Sequence, residues 1–287
     1  MTTEQHILAC IDGSEATHAV CDYAAWYANK LALPVSLLHV SDSSTSKISD
    51  LSGAIGIDTG KALLKELTDS DEARAKVENR DSQELMDDAG QYMKTTHPNA
   101  DIVAHQRHGK LLPAIEHFGE RNRVIVIGRR GEDHQDSRMT IGKQIETVAR
   151  GVDSPVLICS EPFVEPSSYM IAFDASETAV KATDIIAKSP LLKGLQGHIV
   201  MVGNPNNSSN SSLSAATEKL RAAGLQVEPH NVPEATAVDG LLDFQVKNDI
   251  DLIVVGAYGH SKLQQFFLGS TTSEILASTL APVILIH

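Results

Sequence analysis

The sequence predicts an α/β protein built from two similar halves, each a parallel sheet with helices on both faces. Two observations support this fold class. Short runs of branched apolar residues alternate with longer segments of helical periodicity, which is the pattern of repeated β–α units. The series of runs then restarts after residue 168, and the motif Asp12-Gly13-Ser14 that ends the first run returns as Asp174-Ala175-Ser176.

The first half contains the elements of a complete α/β unit. Ser14 is the predicted N-cap of the first helix, because a serine hydroxyl can accept from the free N–H groups of a first turn. Residues 41–60 are rich in Ser, Asp and Gly and predict a loop, and a long helix is expected after them, broken near Asp81-Ser82. The predicted strands are 6–11, 35–40, 100–105, 123–127 and 155–159, and the predicted helices are 14–31, 61–96, 111–118 and 141–149.

The second half follows a segment with two prolines and two glutamates, which predicts a linker at 161–168. The chain is therefore divided into a first domain at 1–160 and a second at 169–287. The expected strands of the second domain are 169–173, 198–202, 225–230, 251–255 and 282–286, with helices at 238–246 and from Ser270 onward.

The spacing of matching positions indicates a duplication with localised length changes. The interval from Asp12 to Gly128 in the first half corresponds to the interval from Asp174 to Gly256 in the second, and the second interval is clearly shorter. The long segment 41–96 contains the surplus. Two copies that differ in one insertion explain this better than chance similarity.

Composition excludes several functional classes. The 287 residues are 42% apolar, which suffices for real cores, and the net charge of −13 opposes binding to nucleic acid or to an anionic membrane. No apolar run reaches the ~18 residues of a membrane span, and the N-terminus has no positively charged leader. Cys10, Cys21 and Cys159 are widely spaced in apolar patterns, so we expect buried, reduced thiols in a cytoplasmic protein.

The stretch after strand 251–255 has the composition of an anion cradle. Gly256, Gly259 and Gly269 can turn backbone N–H groups into one space, because glycine tolerates positive φ. A helix that begins at Ser270 adds free N–H groups and a partial positive charge. Such an arrangement suits phosphate groups.

The spacing Gly256-x2-Gly259-x9-Gly269-Ser270 resembles the ATP-binding motif of the universal stress protein family, and Thr271-Thr272 fits the usual continuation. The resemblance extends over nearly the whole chain, because the unit occurs twice. It implies two tandem flavodoxin-like, HUP-type domains, each a five-stranded parallel sheet of order 3-2-1-4-5. It also implies ATP, with or without Mg²⁺ or Mn²⁺, in the second domain, with Asp174 and Val202 beside the adenine.

The family resemblance also bears on role and assembly. It implies a protein of stress response and regulation, whose two domains form an intramolecular pseudo-dimer through their closing strands, 155–159 and 282–287. A homodimer of the whole chain is a further alternative.

The glycine motif of the first half is degenerate. Ten residues instead of nine separate its second and third glycines, and Lys143 and Ile145 replace the hydroxyl residues of the motif. The insertion 41–96 could hold another ligand or cover the cleft of its own domain. The positions of this degenerate site are Asp12, Val40, Gly128, Gly131 and Gly142.

Three classes of function stay open on the sequence: an ATP-binding stress protein, a scaffold for another small molecule or a protein, and a slow ATPase. No catalytic nucleophile or base is recognised beyond Asp174, so at most a weak ATPase is expected. An arginine of the first domain, such as Arg129 or Arg130, could reach across a pseudo-dimer. The twelve histidines show no metal-ligand spacing, and no metal site is expected.

Overall fold

The structure is a computed structural model that describes residues 5–41, 57–129, 143–204, 206–233, 236–256 and 270–286. Of residues 57–75 and of residue 143 only the backbone is described. The elements are β1 His6–Ile11, α1 Thr17–Leu31, β2 Val35–Ser41, α2 Ile57–Thr96, β3 Ile102–His108, α3 Leu111–Glu116, β4 Asn122–Gly128, α4 Lys143–Gly151, β5 Val156–Cys159, β6 Ser168–Ala172, α5 Glu177–Lys188, β7 Gln196–Val202, α6 Asn207–Ala222, β8 Gln226–Val232, α7 Ala237–Lys247, β9 Leu252–Gly256, α8 Ser270–Ser278 and β10 Val283–Ile286.

The strands form one ten-stranded sheet in the order β3-β2-β1-β4-β5-β10-β9-β6-β7-β8. Within each half the order is 3-2-1-4-5, as predicted, and all neighbours within a half are parallel. The prediction of separate five-stranded sheets is wrong in one respect, because the two sheets are continuous. A short apolar strand at the edge of each half satisfies its free backbone groups by pairing with the other.

The seam between the halves is the antiparallel pair β5–β10. Val156, Leu157 and Ile158 lie opposite Leu285, Ile284 and Val283. All six side chains are almost fully buried. The predicted pairing of the closing strands is therefore present.

Two apolar layers cover the two faces of the sheet. One face packs against α1, α2, α5 and α6, and the other packs against α3, α4, α7 and α8. Central strands such as β1, β4 and β9 are buried along nearly their whole length, which is typical of parallel sheets with helices on both faces. This architecture leaves the carboxyl ends of the strands as the edge at which loops can form a site.

The first helix begins later than predicted. Its N-cap is Ala16, with no side-chain cap hydrogen bond, so the prediction of Ser14 as the N-cap is wrong; the Ser14 hydroxyl donates to Asp12 Oδ1 at 2.6 Å. In the second half, Ser176 occupies the matching position and does cap α5, accepting from the Ala179 N–H at 3.2 Å.

The long helix α2 is continuous, so the predicted break near Asp81-Ser82 is wrong, and the helix begins at Ile57 rather than at the predicted 61. Ser82, Met86, Ala89 and Met93 form a buried stripe with helical spacing. The Ser82 hydroxyl is also 3.1 Å from His39 Nε2, which holds this turn in place. Residues 42–56 of the predicted loop lie outside the described residues.

Helix α6 is an element that was not predicted from the sequence. Its first residues are asparagines and serines, which favour turns and caps over helix interiors. The side chain of Asn206 accepts from the Ser209 N–H at 2.8 Å, and a stripe of buried residues then holds the helix on the sheet. These buried residues are Leu213, Ala216, Thr217 and Leu220.

Candidate functional site

The candidate site lies at the carboxyl edge of the second half, between β6 and β9. These strands are neighbours, but the helix after β6 packs on one face of the sheet and the helix after β9 packs on the other. The two following segments therefore diverge and leave a crevice. This is the switch point at which open α/β sheets bind ligands.

Asp174 closely follows β6 and is exposed at this edge. Its Oδ1 accepts from the Ser176 N–H at 2.9 Å, and Ala175 between them has φ of 62°. The turn therefore fixes the direction of the carboxylate before any ligand arrives. An exposed, oriented carboxylate can accept a hydrogen bond from an amino or hydroxyl group of a ligand.

Gly256 ends β9 at a point of close approach to α5. A Cβ on this residue would lie 3.1 Å from the Thr178 carbonyl oxygen and 3.3 Å from the Ala179 nitrogen. The close packing against α5 thus explains why this residue is glycine, whether or not a ligand binds. On the other side of β6, the half-buried Val202 ends β7, and Gly203 follows with φ of 102°.

The first turn of α8 supplies the groups that suit an anion. The helix follows β9 and returns the chain to the parallel neighbour β10, so its N-terminus lies at the carboxyl edge. Ser270 and Thr271 are exposed there, whereas Thr272 is buried at 6% exposure. The free N–H groups and dipole of this turn favour phosphate oxygens. Gly259 and Gly269 lie outside the described residues.

The equivalent edge of the first half has the same turn, but a helix covers it. Asp12 Oδ1 accepts from the Ser14 N–H at 3.0 Å, and Gly13 has φ of 82°. Helix α2 lies over this turn, since a Cβ on Gly13 would be 3.6 Å from Leu85 Cδ2.

Helix α2 also closes over the end of β2. Ser82 bonds His39, the residue before Val40, and His39 Nδ1 is in turn 3.0 Å from the Ile11 carbonyl oxygen. Gly128 ends β4, as predicted, and Gly131 and Gly142 lie outside the described residues.

Arg129 crosses between the halves but does not point to the candidate site. Its side chain is 5% exposed and donates to the carbonyl oxygens of Leu276 and Ala281, the second at 3.0 Å. It also donates to Ser160 Oγ at 2.8 Å. The expectation that Arg129 could act on a nucleotide across the seam is therefore replaced by a role at the end of α8. Arg130 lies outside the described residues.

Sequence reasoning missed two sets of residues. The covering residues Ser82 and Leu85 could have been found from the apolar stripe that continues through the predicted break. A cluster of His198, Glu228 and His230 was also missed. The alternation Glu228-Pro229-His230 on one predicted strand was its only local signal.

The three cysteines are free and buried, as expected. Burial raises the pKa of Cys10 and of Cys21 to about 12, and it raises the pKa of Cys159 as well. At neutral pH these thiols are protonated and poorly nucleophilic. Among the helices of the described residues, none is both long and apolar enough to span a bilayer.

Comparison with known proteins gives matches over nearly the whole chain. The family model described as "Universal stress protein family" matches twice, at residues 4–160 and 169–287. Universal stress protein Slr1230 of Synechocystis sp. (strain ATCC 27184 / PCC 6803 / Kazusa) is 31% identical over 285 residues, which is 98% of this chain and 99% of that protein.

Two solved structures share the fold over the same extent. A universal stress protein from Archaeoglobus fulgidus DSM 4304 is 19% identical with a TM-score of 0.73, and the match covers 98% of this chain and 97% of that one. A functionally unknown protein from Pseudomonas aeruginosa PAO1 is 16% identical with a TM-score of 0.57, covering 99% and 92%. At these identities the likeness concerns the fold.

Proposed function

The chain belongs to the universal stress protein family, as a tandem member, and on this premise we propose that its C-terminal half binds ATP and that nucleotide occupancy regulates the protein in a stress response. The observation that carries the proposal is the first turn of α8, whose Ser270 and Thr271 are exposed at the switch point between β6 and β9. A helix N-terminus at this point favours phosphate.

The proposed contacts divide the nucleotide between two sides of the crevice. Asp174 and the backbone of Val202 receive the adenine and ribose. The phosphates lie against the segment from Gly256 to Thr272, where the proposed ligands are Gly256, Gly259, Gly269, Ser270, Thr271 and Thr272. A Mg²⁺ or Mn²⁺ ion would accompany the phosphates, since it neutralises their charge.

The proposal includes the organisation of the chain. We assign the first domain to 1–160, the linker to 161–168 and the second domain to 169–287, and we propose that the two domains act as a pseudo-dimer. The antiparallel β5–β10 pair and the contacts of Arg129 with Leu276 and Ala281 support this arrangement. The first domain does not bind ATP in the same manner, because α2 covers the turn at Gly13.

A matched pair of variants tests the nucleotide site. Thr271→Glu adds a negative charge to the exposed first turn of α8, and Gln144→Glu adds the same charge at the corresponding exposed position of α4. Isothermal titration with Mg-ATP should give one site per chain for the wild type and for Gln144→Glu. Thr271→Glu should weaken binding at least ~100-fold, because two like charges ~4 Å apart near a surface repel by a few kcal/mol.

Both variants should retain their thermal transitions, since an acidic residue in a first helical turn is compatible with the dipole. Equal ATP affinity in all three proteins would reject the proposal. Two equivalent sites per chain would reject the assignment to the second domain alone.

A scaffold for a different small molecule or for a protein is the alternative, and native mass spectrometry of the purified chain distinguishes it by the mass of the co-purified ligand. A slow ATPase is compatible with the same site. Ser270 and Thr271 hydroxyls and backbone N–H groups bind ground state and transition state alike, which does not speed the chemistry. We therefore expect phosphate release well below the ~10 s⁻¹ median of enzymes.

A further inference from the structure

Three side chains with metal-binding atoms meet on the edge of the sheet, away from the carboxyl edge described above. Glu228 and His230 are alternate residues of the edge strand β8, so they share one face of the sheet. His198 lies on the neighbouring strand β7, directly opposite Glu228 in the parallel register. The ligand atoms of all three residues lie within 4.8 Å of one another.

The distance between the two imidazoles fits a shared ion. His198 Nδ1 and His230 Nε2 are 3.0 Å apart and share a hydrogen bond, so a bound ion would replace the proton between them. Two nitrogens bound to one Zn²⁺ at ~2.0–2.1 Å are separated by roughly 2.8–3.4 Å for bond angles between the octahedral and the tetrahedral value.

The cluster has an apolar side chain against it on one side and solvent on the other. Phe244 of α7, itself 9% exposed, packs on both imidazoles, with ring centroids 5.6 Å from His198 and 4.8 Å from His230. An apolar wall of this kind strengthens the field of a cation. Glu228 is exposed on the other side, so solvent reaches the cluster there.

The duplicated first half shows that the fold by itself does not produce this cluster. The register positions that match His198, Glu228 and His230 are occupied there by Ser36, Val103 and His105. His105 also packs against a phenylalanine, Phe118, at 5.0 Å. The first half therefore has the aromatic wall and one imidazole, and it lacks the other two ligands at these described positions.

We propose that His198, Glu228 and His230 form a site for a divalent transition-metal ion of the Zn²⁺ class, with water at the solvent-facing position. Two imidazoles and one carboxylate suit Zn²⁺ and Co²⁺ better than Ca²⁺ or Mg²⁺, which prefer all-oxygen ligands. The ion would tie the edge strand β8 to β7. The site is independent of the nucleotide proposal.

The test uses Zn²⁺ and Co²⁺ alone on the full-length, tag-free protein after removal of metal with a chelator. The variants are His230→Gln and Glu228→Gln, and His105→Gln is the matched control. We expect the wild type and His105→Gln to bind one Zn²⁺ per chain in a calorimetric titration, with a raised Tm. Each ligand variant should lose at least tenfold in affinity and most of the shift in Tm.

Visible absorption of bound Co²⁺ provides a second readout, since its intensity reports imidazole ligation and low coordination number. Circular dichroism without metal checks that each variant is folded. If one ligand variant does not fold, the proposal is tested by the other ligand variant and by the Co²⁺ spectrum of the wild type. Absence of stoichiometric binding by the wild type would overturn the proposal, and so would binding that survives both ligand variants or falls in His105→Gln.

Discussion

The two halves keep one framework and differ in what covers its carboxyl edge. Asp12 and Asp174 accept from the N–H two residues later in the same kind of turn, and the residue between has positive φ in both halves. In the first half, α2 then extends over the turn, with Leu85 against Gly13. Duplication therefore preserved the backbone scaffold, and an insertion changed the access to it.

The amino ends of the central strands differ as well. In the first half His6 Nε2 pairs with the Asn122 side chain at 2.9 Å. In the second half Asp251 accepts from the backbone and hydroxyl groups of Ser167 and Ser168 at 2.6–3.1 Å. The His6–Asn122 pair and the hydrogen bonds of Asp251 thus both connect adjacent strands, the first without and the second with a carboxylate.

The largest effect on stability is expected at a strand pair where one half has a large and a small side chain and the other half has two of medium size. Tyr169 lies opposite Gly197 in β6–β7, and the matching pair in β1–β2 is Ile7 and Val35. A Cβ on Gly197 would overlap the Tyr169 ring and approach the Gln226 carbonyl oxygen to 2.8 Å. Gly197→Val should therefore lower the free energy of unfolding by about 3 kcal/mol, measured by urea denaturation.

A double variant sharpens this comparison. Tyr169→Ile with Gly197→Val recreates the first-half pair and removes a buried hydroxyl that has no hydrogen-bond partner among the described residues. We expect the double variant to recover part of the loss caused by Gly197→Val, because the overlap with the Tyr169 ring disappears while the close approach to the Gln226 carbonyl oxygen remains. If the double variant lost as much unfolding free energy as the sum of the two single variants, the first-half pair would not fit at this position of the second half.

The next effect concerns the seam. Arg129→Met removes the donors to the carbonyl oxygens of Leu276 and Ala281 and to Ser160 Oγ, so three acceptors at the seam lose a hydrogen bond. We expect a loss of about 2 kcal/mol in the free energy of unfolding and a less cooperative transition. Arg80→Met, which breaks an exposed pair with Glu84 on α2, is the control and should change stability by less than about 0.5 kcal/mol. Equal effects of both changes would contradict the role of Arg129.

Acid should weaken the second half through Asp251. Burial would raise the pKa of Asp251, but hydrogen bonds from Ser167 and Ser168 outweigh it, and the pKa lies below its usual value. A carboxyl with a depressed pKa stabilises the fold above its unfolded pKa of ~3.9 and loses that contribution as the pH falls through the folded value.

Asp251→Asn should thus cost about 1–2 kcal/mol at neutral pH, and the cost should shrink as the pH falls below ~3.9, as judged by urea unfolding at a series of pH values. A cost that does not change with pH would indicate that the charge of Asp251 has no part in it.

The smallest effects test the shared turn. Ala175 has φ of 62°, which costs an L-residue ~1–2 kcal/mol, and the matching residue is Gly13. Ala175→Gly should stabilise the protein by roughly 0.5 kcal/mol, because the relief of strain exceeds the added entropy of the unfolded chain. Gly13→Ala should destabilise it by about 1 kcal/mol, since the same strain is then introduced. Thermal denaturation that gives both changes the same sign would refute the equivalence of the turns.

The sequence by itself determined the α/β class and the duplication, whereas the strand order within each half was expected only from the resemblance to a known family. The class and the duplication depend on local periodicity: runs such as 6–11 and 251–255 are apolar nearly throughout, because both faces of a parallel sheet are covered. Asp174, which follows β6, and Gly256, which ends β9, could be found for the same reason. The nucleotide ligands assigned to them stay predictions.

Tertiary structure decided the rest, because it depends on residues distant in sequence. Ser14 was a plausible cap, but α1 begins at Thr17 with Ala16 as its N-cap, and α6 forms despite its asparagines and serines because Leu213 and Leu220 are buried. The pairing of the closing strands was expected from the family resemblance, but the tertiary structure decided that it joins the two sheets into one. His198 and Glu228 are far apart along the chain and meet only through the register of β7 and β8. Local pattern cannot encode such a meeting, since a shift of one residue would turn either side chain to the opposite face.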